Sequence, residues 1–108
     1  MAVTNYNLYP VRMSPIWRTI DFEQIPSISS ATGLTDGTFN AAGIVYAQIQ
    51  VTTSDMRYRT DGTDPESGVG HYLATNGIIE VWHPDDMAAF RAIDDSGTSL
   101  LEVTYFGP

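Results

Sequence analysis

The stretch Ile44-Val45-Tyr46-Ala47-Gln48-Ile49-Gln50-Val51-Thr52 decides the fold class. Val45, Ala47, Ile49 and Val51 fall on one side of an extended chain, while Tyr46, Gln48 and Gln50 fall on the other. This period-two alternation belongs to a strand with one buried face. Residues 56–60 repeat the pattern, with Met56 and Tyr58 inward and Arg57 and Arg59 outward. Only Thr53-Ser54-Asp55 separates the two runs, which predicts a tight antiparallel hairpin. Residues 78–82 and 99–106 are two further β-rich runs, and in the second Leu101, Val103 and Tyr105 alternate against Glu102 and Thr104. The pattern predicts an all-β chain of about six to eight short strands, an antiparallel β-sandwich spanning residues 27–108.

Residues 1–26 read as an extended N-terminal arm. Tyr6, Leu8, Tyr9, Val11, Ile16, Trp17, Ile20 and Phe22 give it an aromatic and apolar character, and Pro10, Pro15 and Pro26 forbid a continuous helix. Disordered tails are poor in aromatics, so the arm is expected to pack on something. A competing reading makes Trp17 and Ile20 part of an edge strand of the chain's own sandwich. Between residues 27 and 43 the composition is rich in Ser, Thr, Gly and Ala, with room for short strands near residues 27–30 and 38–40 and a turn at Asp36-Gly37. Residues 84–93 form the one helical candidate. Pro84 suits the first helical position, Asp85 and Asp86 suit the positive N-terminal end, and Met87, Phe90 and Ile93 recur at three-residue spacing. A single helical turn, or a strand ending in Phe90-Arg91-Ala92-Ile93, fits the same residues almost as well.

Composition excludes several classes of function. With 108 residues the chain forms one domain at most, and such a globule buries roughly 65% of the surface of its unfolded chain. Cysteine is absent, which removes disulfides, thiolate metal sites and a cysteine nucleophile together. No apolar run approaches the ~20 residues of a membrane span, and the start lacks the order of a signal peptide. Thirteen acids stand against five bases, all arginine, for a net charge of −8. That balance argues against nucleic acid and against an anionic bilayer as partners. The charge is unevenly spread, because Arg12 and Arg18 are the only charged side chains before Asp21. A cationic segment on an acidic body can orient onto an acidic neighbour.

The densest polar cluster runs from Arg57 through Glu66. Asp61, Asp64 and Glu66 place three carboxylates in one loop, a spacing that invites comparison with a calcium site. The order is not that of the twelve-residue calcium loop, so the preferred reading is structural: Asp61-Gly62 turns the chain and Asp64-Pro65 ends the strand, with no metal. His71 and His83 lack zinc-ligand spacing, no Ser lies in a nucleophile elbow, and Gly68-Val69-Gly70 precedes no strand-to-helix turn. No catalytic residue, metal or cofactor is therefore expected.

Four ordered blocks carry a resemblance. They are Ala47-Gln48-Ile49-Gln50-Val51 with Met56 through Pro65, then Val69-Gly70-His71, then Met87 through Ile93, and finally Leu101 through Phe106. Over residues 43–106 the chain resembles a family of small β-rich virion structural proteins of tailed bacteriophages, whose members share R-Y-R-x-D-G-T-x-P, V-G-H, F-R-A-I and V-T-Y-F segments. The resemblance implies a virion component assembled in the host bacterial cytoplasm, with the major capsid protein and other virion proteins as partners. The leading expectation is a capsid decoration, or cement, protein that binds the outer head surface as a homo-oligomer, with a trimer anticipated. Tyr6, Leu8, Tyr9, Val11, Arg12, Ile16, Trp17 and Arg18 are then the expected subunit or capsid contacts. A head–tail joining or tail component is the alternative within the virion. A second likeness is shorter: Tyr58 through Pro65 is similar to the Y-T-x-D-G-S-x-P run of immunoglobulin-like modules on chitin- and hexosamine-degrading enzymes. It supports an immunoglobulin-like or jelly-roll-like sandwich and raises a carbohydrate-binding alternative that presents Trp82 or Tyr72 to sugars.

Overall fold

Seven strands in two antiparallel sheets build a β-sandwich, seen in a computed structural model that describes residues 17–40, 43–95 and 97–108. The elements are β1 (Arg18–Ile25), α1 (Asp36–Phe39), β2 (Tyr46–Thr52), β3 (Met56–Arg59), β4 (His71–Leu73), β5 (Ile78–Val81), α2 (Pro84–Ala89), β6 (Arg91–Asp94) and β7 (Leu100–Gly107). One sheet has the order β1-β7-β2-β5 and the other β4-β3-β6. The alternation of β2 and β7 is realised in full: Ala47, Ile49, Val51, Leu101, Val103 and Tyr105 are wholly buried. In register, Ile49 faces Val103 and Val51 faces Leu101, so the apolar set of each strand lands on the same inner face. Met56, Met87, Phe90, Ala92 and Ile28 close the core from the other side.

The expected hairpin between residues 44–52 and 56–60 does not form. β2 and β3 lie in different sheets, and Thr53-Ser54-Asp55 carries the chain across the sandwich. Both strands bury one face, and pairing them would have left β3 on a sheet whose inner face β7, β2 and β5 already fill. Thr53 takes a left-handed conformation, φ 73°, to make the crossing. The true hairpin partner of β3 is β4, with Tyr58 opposite His71 and Arg57 opposite Tyr72. Asp61, Gly62, Asp64 and Pro65 lie in the loop between them, and the strand ends at Arg59, ahead of Asp64-Pro65.

Four other expectations change. Residues 84–93 divide: the helix stops at Ala89, and Arg91–Asp94 becomes a strand that pairs with β3. Phe90 and Ala92 are wholly buried from that extended stretch, which a continued helix could not bury on the same inner face. The strand expected near residues 38–40 is instead the single turn α1. The strand expected near residues 27–30 reduces to an isolated bridge between Thr32 and Ala92, with Ile28 accepting from the Asp94 N–H at 2.9 Å. Part of the expected arm, Arg18–Ile25, is the edge strand β1, paired with β7 across a bulge between Thr19 and Asp21. The competing edge-strand reading thus describes these residues.

Three sheet-to-sheet crossings, β2–β3, β4–β5 and β6–β7, converge on Asp55 at one end of the sandwich. Its backbone oxygen accepts from the Ser99 hydroxyl at 2.8 Å and from the Asp95 N–H at 2.9 Å, which ties the β2–β3 crossing to the β6–β7 crossing. Its carboxylate accepts from the Tyr72 hydroxyl and, at 2.8 Å each, from the N–H and hydroxyl of Thr75 in the β4–β5 crossing. The Tyr72 hydroxyl, then the two Thr75 donors, hold the Asp55 carboxyl below its ordinary range. Such a group contributes stability above its unfolded pKa, and the contribution is lost as pH falls through the lower folded value. Asp55→Asn should therefore lower the melting temperature at neutral pH, and the gap to the native chain should narrow as the pH falls below about 4. A gap that stays constant across thermal melts from neutral to acid pH would contradict the role given to the carboxylate.

Candidate functional site

On the outer face of the four-stranded sheet, away from Asp55, the register brings aromatic side chains into a row. Tyr46 lies opposite Phe106 on β7, and Ala47 pairs with Val81, which sets Trp82 beside Tyr46 on the other flank. The Tyr46 ring stacks on Phe106 at 4.6 Å between centroids and on Trp82 at 4.3 Å. Trp17, just before β1, tilts against Tyr46 at 5.6 Å and against Trp82 at 5.5 Å. Stacked in this way, the rings stand on edge above the sheet with their faces turned to one another. Burial, and then the nearby Glu80 carboxylate, push the Tyr46 phenol up.

Around this row the face is apolar at its margins and polar between them. Trp82, Phe22 and Ile78 are 51%, 54% and 53% exposed. Gln48, Gln50 and Thr104 fill the middle, and the Gln24 amide donates to Glu102 at 2.9 Å. Glu80 and Glu102 are the charged residues of this face among the described strands.

The outer face of the three-stranded sheet is different in kind. Arg57, Arg59 and Arg91 all point outward there, and Arg59 lies directly opposite Arg91. Each is matched with a carboxylate nearby: Arg57 with Asp95 at 3.1 Å, Arg59 with Asp61, and Arg91 with Asp64 at 4.0 Å. The Arg59 guanidinium, then the Thr63 N–H, hold the Asp61 carboxyl low. Both Asp61 oxygens are occupied in this way, and no three acidic or histidine side chains converge on a cation position among the described residues. An open cleft of about 410 Å³ beside this loop is lined by Arg59, Thr60, Asp61, Val69, Gly70 and His71. Gly70 has φ 123°, and a side chain there would meet the Tyr58 carbonyl oxygen at 3.1 Å, so the chain turns back as the sequence expects.

Of the expected contact residues, Tyr6, Leu8, Tyr9, Val11, Arg12 and Ile16 lie outside the described residues. Trp17 joins the aromatic row, and Arg18 is exposed at the start of β1. Tyr72, named as a sugar-stacking candidate, is committed elsewhere: its hydroxyl donates to Asp55 and the Arg57 guanidinium lies 5.1 Å from its ring centroid. His83 has a role that sequence reading missed, because its Nδ1 accepts from the Asp85 N–H at 3.0 Å and caps α2. The convergence of Tyr46, Trp82 and Phe106 was also missed. Their outward positions follow from alternation, but their meeting depends on strand order, which alternation does not carry. Compared with known protein families, curated proteins and solved structures, the chain matches none.

Tyr46 meets three rings, Phe106, Trp82 and Trp17, so Tyr46→Ala removes three aromatic pairs at once. It should cost about 1.5–4.5 kcal/mol in urea unfolding, at 0.5–1.5 kcal/mol per aromatic pair. Trp82→Ala, at the exposed end of the row, should cost distinctly less; equal losses would mean that the row is not held through Tyr46.

Proposed function

We propose that the chain is a structural protein of a tailed-bacteriophage particle, a capsid decoration protein that attaches to the outer head surface through the aromatic face of its four-stranded sheet. The observation that carries this reading is the aromatic row with Trp82, Phe22 and Ile78 half exposed on a body of net charge −8. Exposed aromatic and apolar side chains flanking a strip of amides, on a face with few charges, are the composition of a protein docking surface. The virion setting comes from the resemblance over residues 43–106. The acidic body keeps free copies soluble and away from packaged DNA before assembly. Arg12 and Arg18 supply orientation toward acidic neighbours rather than affinity.

The edge-on stacking gives less support to the carbohydrate alternative. A sugar ring stacks on an open aromatic face, and the faces of Tyr46 are taken by its neighbours.

The test uses particles of the phage that encodes the chain. The protein should appear in purified heads at many copies per particle, in an outer layer of a three-dimensional reconstruction. Trp82→Ser should fold as the native chain does and bind depleted heads at least about tenfold more weakly, the loss of an exposed aromatic anchor. Heads that carry none of the protein, or a tail location, would replace this reading.

A further inference from the structure

The four-stranded sheet has two open edges, and they are finished differently. β1 carries a bulge between Thr19 and Asp21, and it sets Asp21 and Glu23 opposite Tyr105 and Val103, on the inward side. Bulges and inward-pointing charges are devices that keep a further strand from pairing. β5 has neither. Its register with β2 is unbroken from Ile78 to Val81, and it holds no proline and one charge, Glu80. The Val51 N–H donates to the Gly77 oxygen at 3.1 Å, which fixes the phase of the ladder. The N–H and C=O groups of Ile78 and Glu80 therefore point away from β2, toward the open edge. Ile78 and Trp82, both half exposed, flank that edge.

The geometry points to strand addition at β5 by residues 3–9 of a second copy of this chain. Val3-Thr4-Asn5-Tyr6-Asn7-Leu8-Tyr9 holds no charge, no glycine and no proline, and Pro10 closes it where a ladder must stop. Laid beside β5, the run offers Tyr6 and Leu8 to the face that holds Ile78 and Trp82, so the aromatic row continues from one copy to the next. Main-chain bonds supply affinity in such additions and alternate side chains supply specificity.

The strand directions favour a second copy over the chain's own N-terminus. β5 runs toward Trp82, and β1 begins at that same end, with Arg18 opposite Gly107. An antiparallel partner of β5, the more stable arrangement, ends at the opposite end. Residues 10–17 of the same chain would then have to recross the sheet, about 20 Å at ~4.8 Å per strand, while also returning along its length through Pro10 and Pro15. A second copy docks without that reversal. The contact joins unlike surfaces, so it propagates from copy to copy, as a ring where the rotation between copies closes and as an open filament where it does not. The inference rests on the multi-copy reading given under Proposed function and names the surface that receives the arm.

The experiment follows assembly state by native mass spectrometry for the full chain, a chain lacking residues 1–9, and the variants Ile78→Pro and Glu80→Lys. Proline is tolerated at the first residue of an edge strand, and lysine guards an edge, so both variants should keep the native circular dichroism. The full chain should assemble, and the truncated chain and both variants should assemble about tenfold more weakly or not at all. Cross-links should join residues 3–9 of one copy to β5 of another. A monomeric full chain, or a truncated chain that assembles as the full chain does, overturns strand addition. Head occupancy measured in parallel separates the two readings: a monomeric chain that still decorates heads refutes strand addition alone, and an assembled chain that does not decorate them refutes the decoration role alone.

Discussion

Asp55 is where the topology is decided. Three crossings between the sheets meet at one residue, through its backbone oxygen to Ser99 and Asp95 and through its carboxylate to Tyr72 and Thr75. Strand-rich chains have many near-equivalent pairings, and a one-residue slip would turn every buried side chain outward. A shared anchor for the crossings penalises such slips, because a shifted strand would leave the wholly buried Ser99 hydroxyl without its acceptor. Ser99 is the buried polar residue of the described core, and its partner is the same oxygen that receives the Asp95 N–H.

The two ends of the sandwich consequently differ in chemistry. At the Asp55 end the polar groups are spent on the crossings. At the other end the chain passes through α2, capped by His83, and the sheet presents aromatic rings. Tyr105 links the halves: its hydroxyl donates to Glu23 of the edge strand, and burial, followed by that carboxylate, pushes its pKa up. Glu23 also accepts from the Thr35 N–H at 3.2 Å, so one carboxylate fastens β1 to β7 and to the connection that leads into α1. This explains how β1 stays in place although most of its side chains are exposed.

What the sequence made legible was periodicity, and what it hid was partnership. The inward set of β2 and β7 could be read residue by residue because alternation is local. That β2 pairs with β7 and β5 rather than with β3 depends on Asp55 meeting residues forty positions away, and the short Thr53-Ser54-Asp55 link looks the same in a hairpin as in a crossing. Residues 84–93 were legible only in part, for a related reason: helix and strand were each read there, but not the boundary between them. Three-residue spacing of Met87, Phe90 and Ile93 suits a helix, yet Phe90 caps the helix with extended backbone and Ala92 is needed on the inner face of β6. The aromatic set was visible as a list, and only the register turned three of its members into a row.

The distribution of arginine supports the choice of the aromatic face, rather than the arginine-bearing one, as the proposed docking surface. Arg57, Arg59 and Arg91 share one outer face, which by count alone would be the cationic patch of an acidic protein. Each instead meets a carboxylate of its own loop or strand end, so that face carries little net charge. Pairs this exposed contribute modestly to stability, but they leave each of the three guanidinium groups with a carboxylate beside it. The opposite face has no such internal pairing to satisfy. Its two carboxylates, Glu80 and Glu102, sit among amides and rings, and Arg18 at its border takes part in no ion pair among the described residues. Association there can use the apolar side chains along both flanks, Phe22 on β1 and Ile78 and Trp82 on β5, with the amides between them supplying hydrogen bonds.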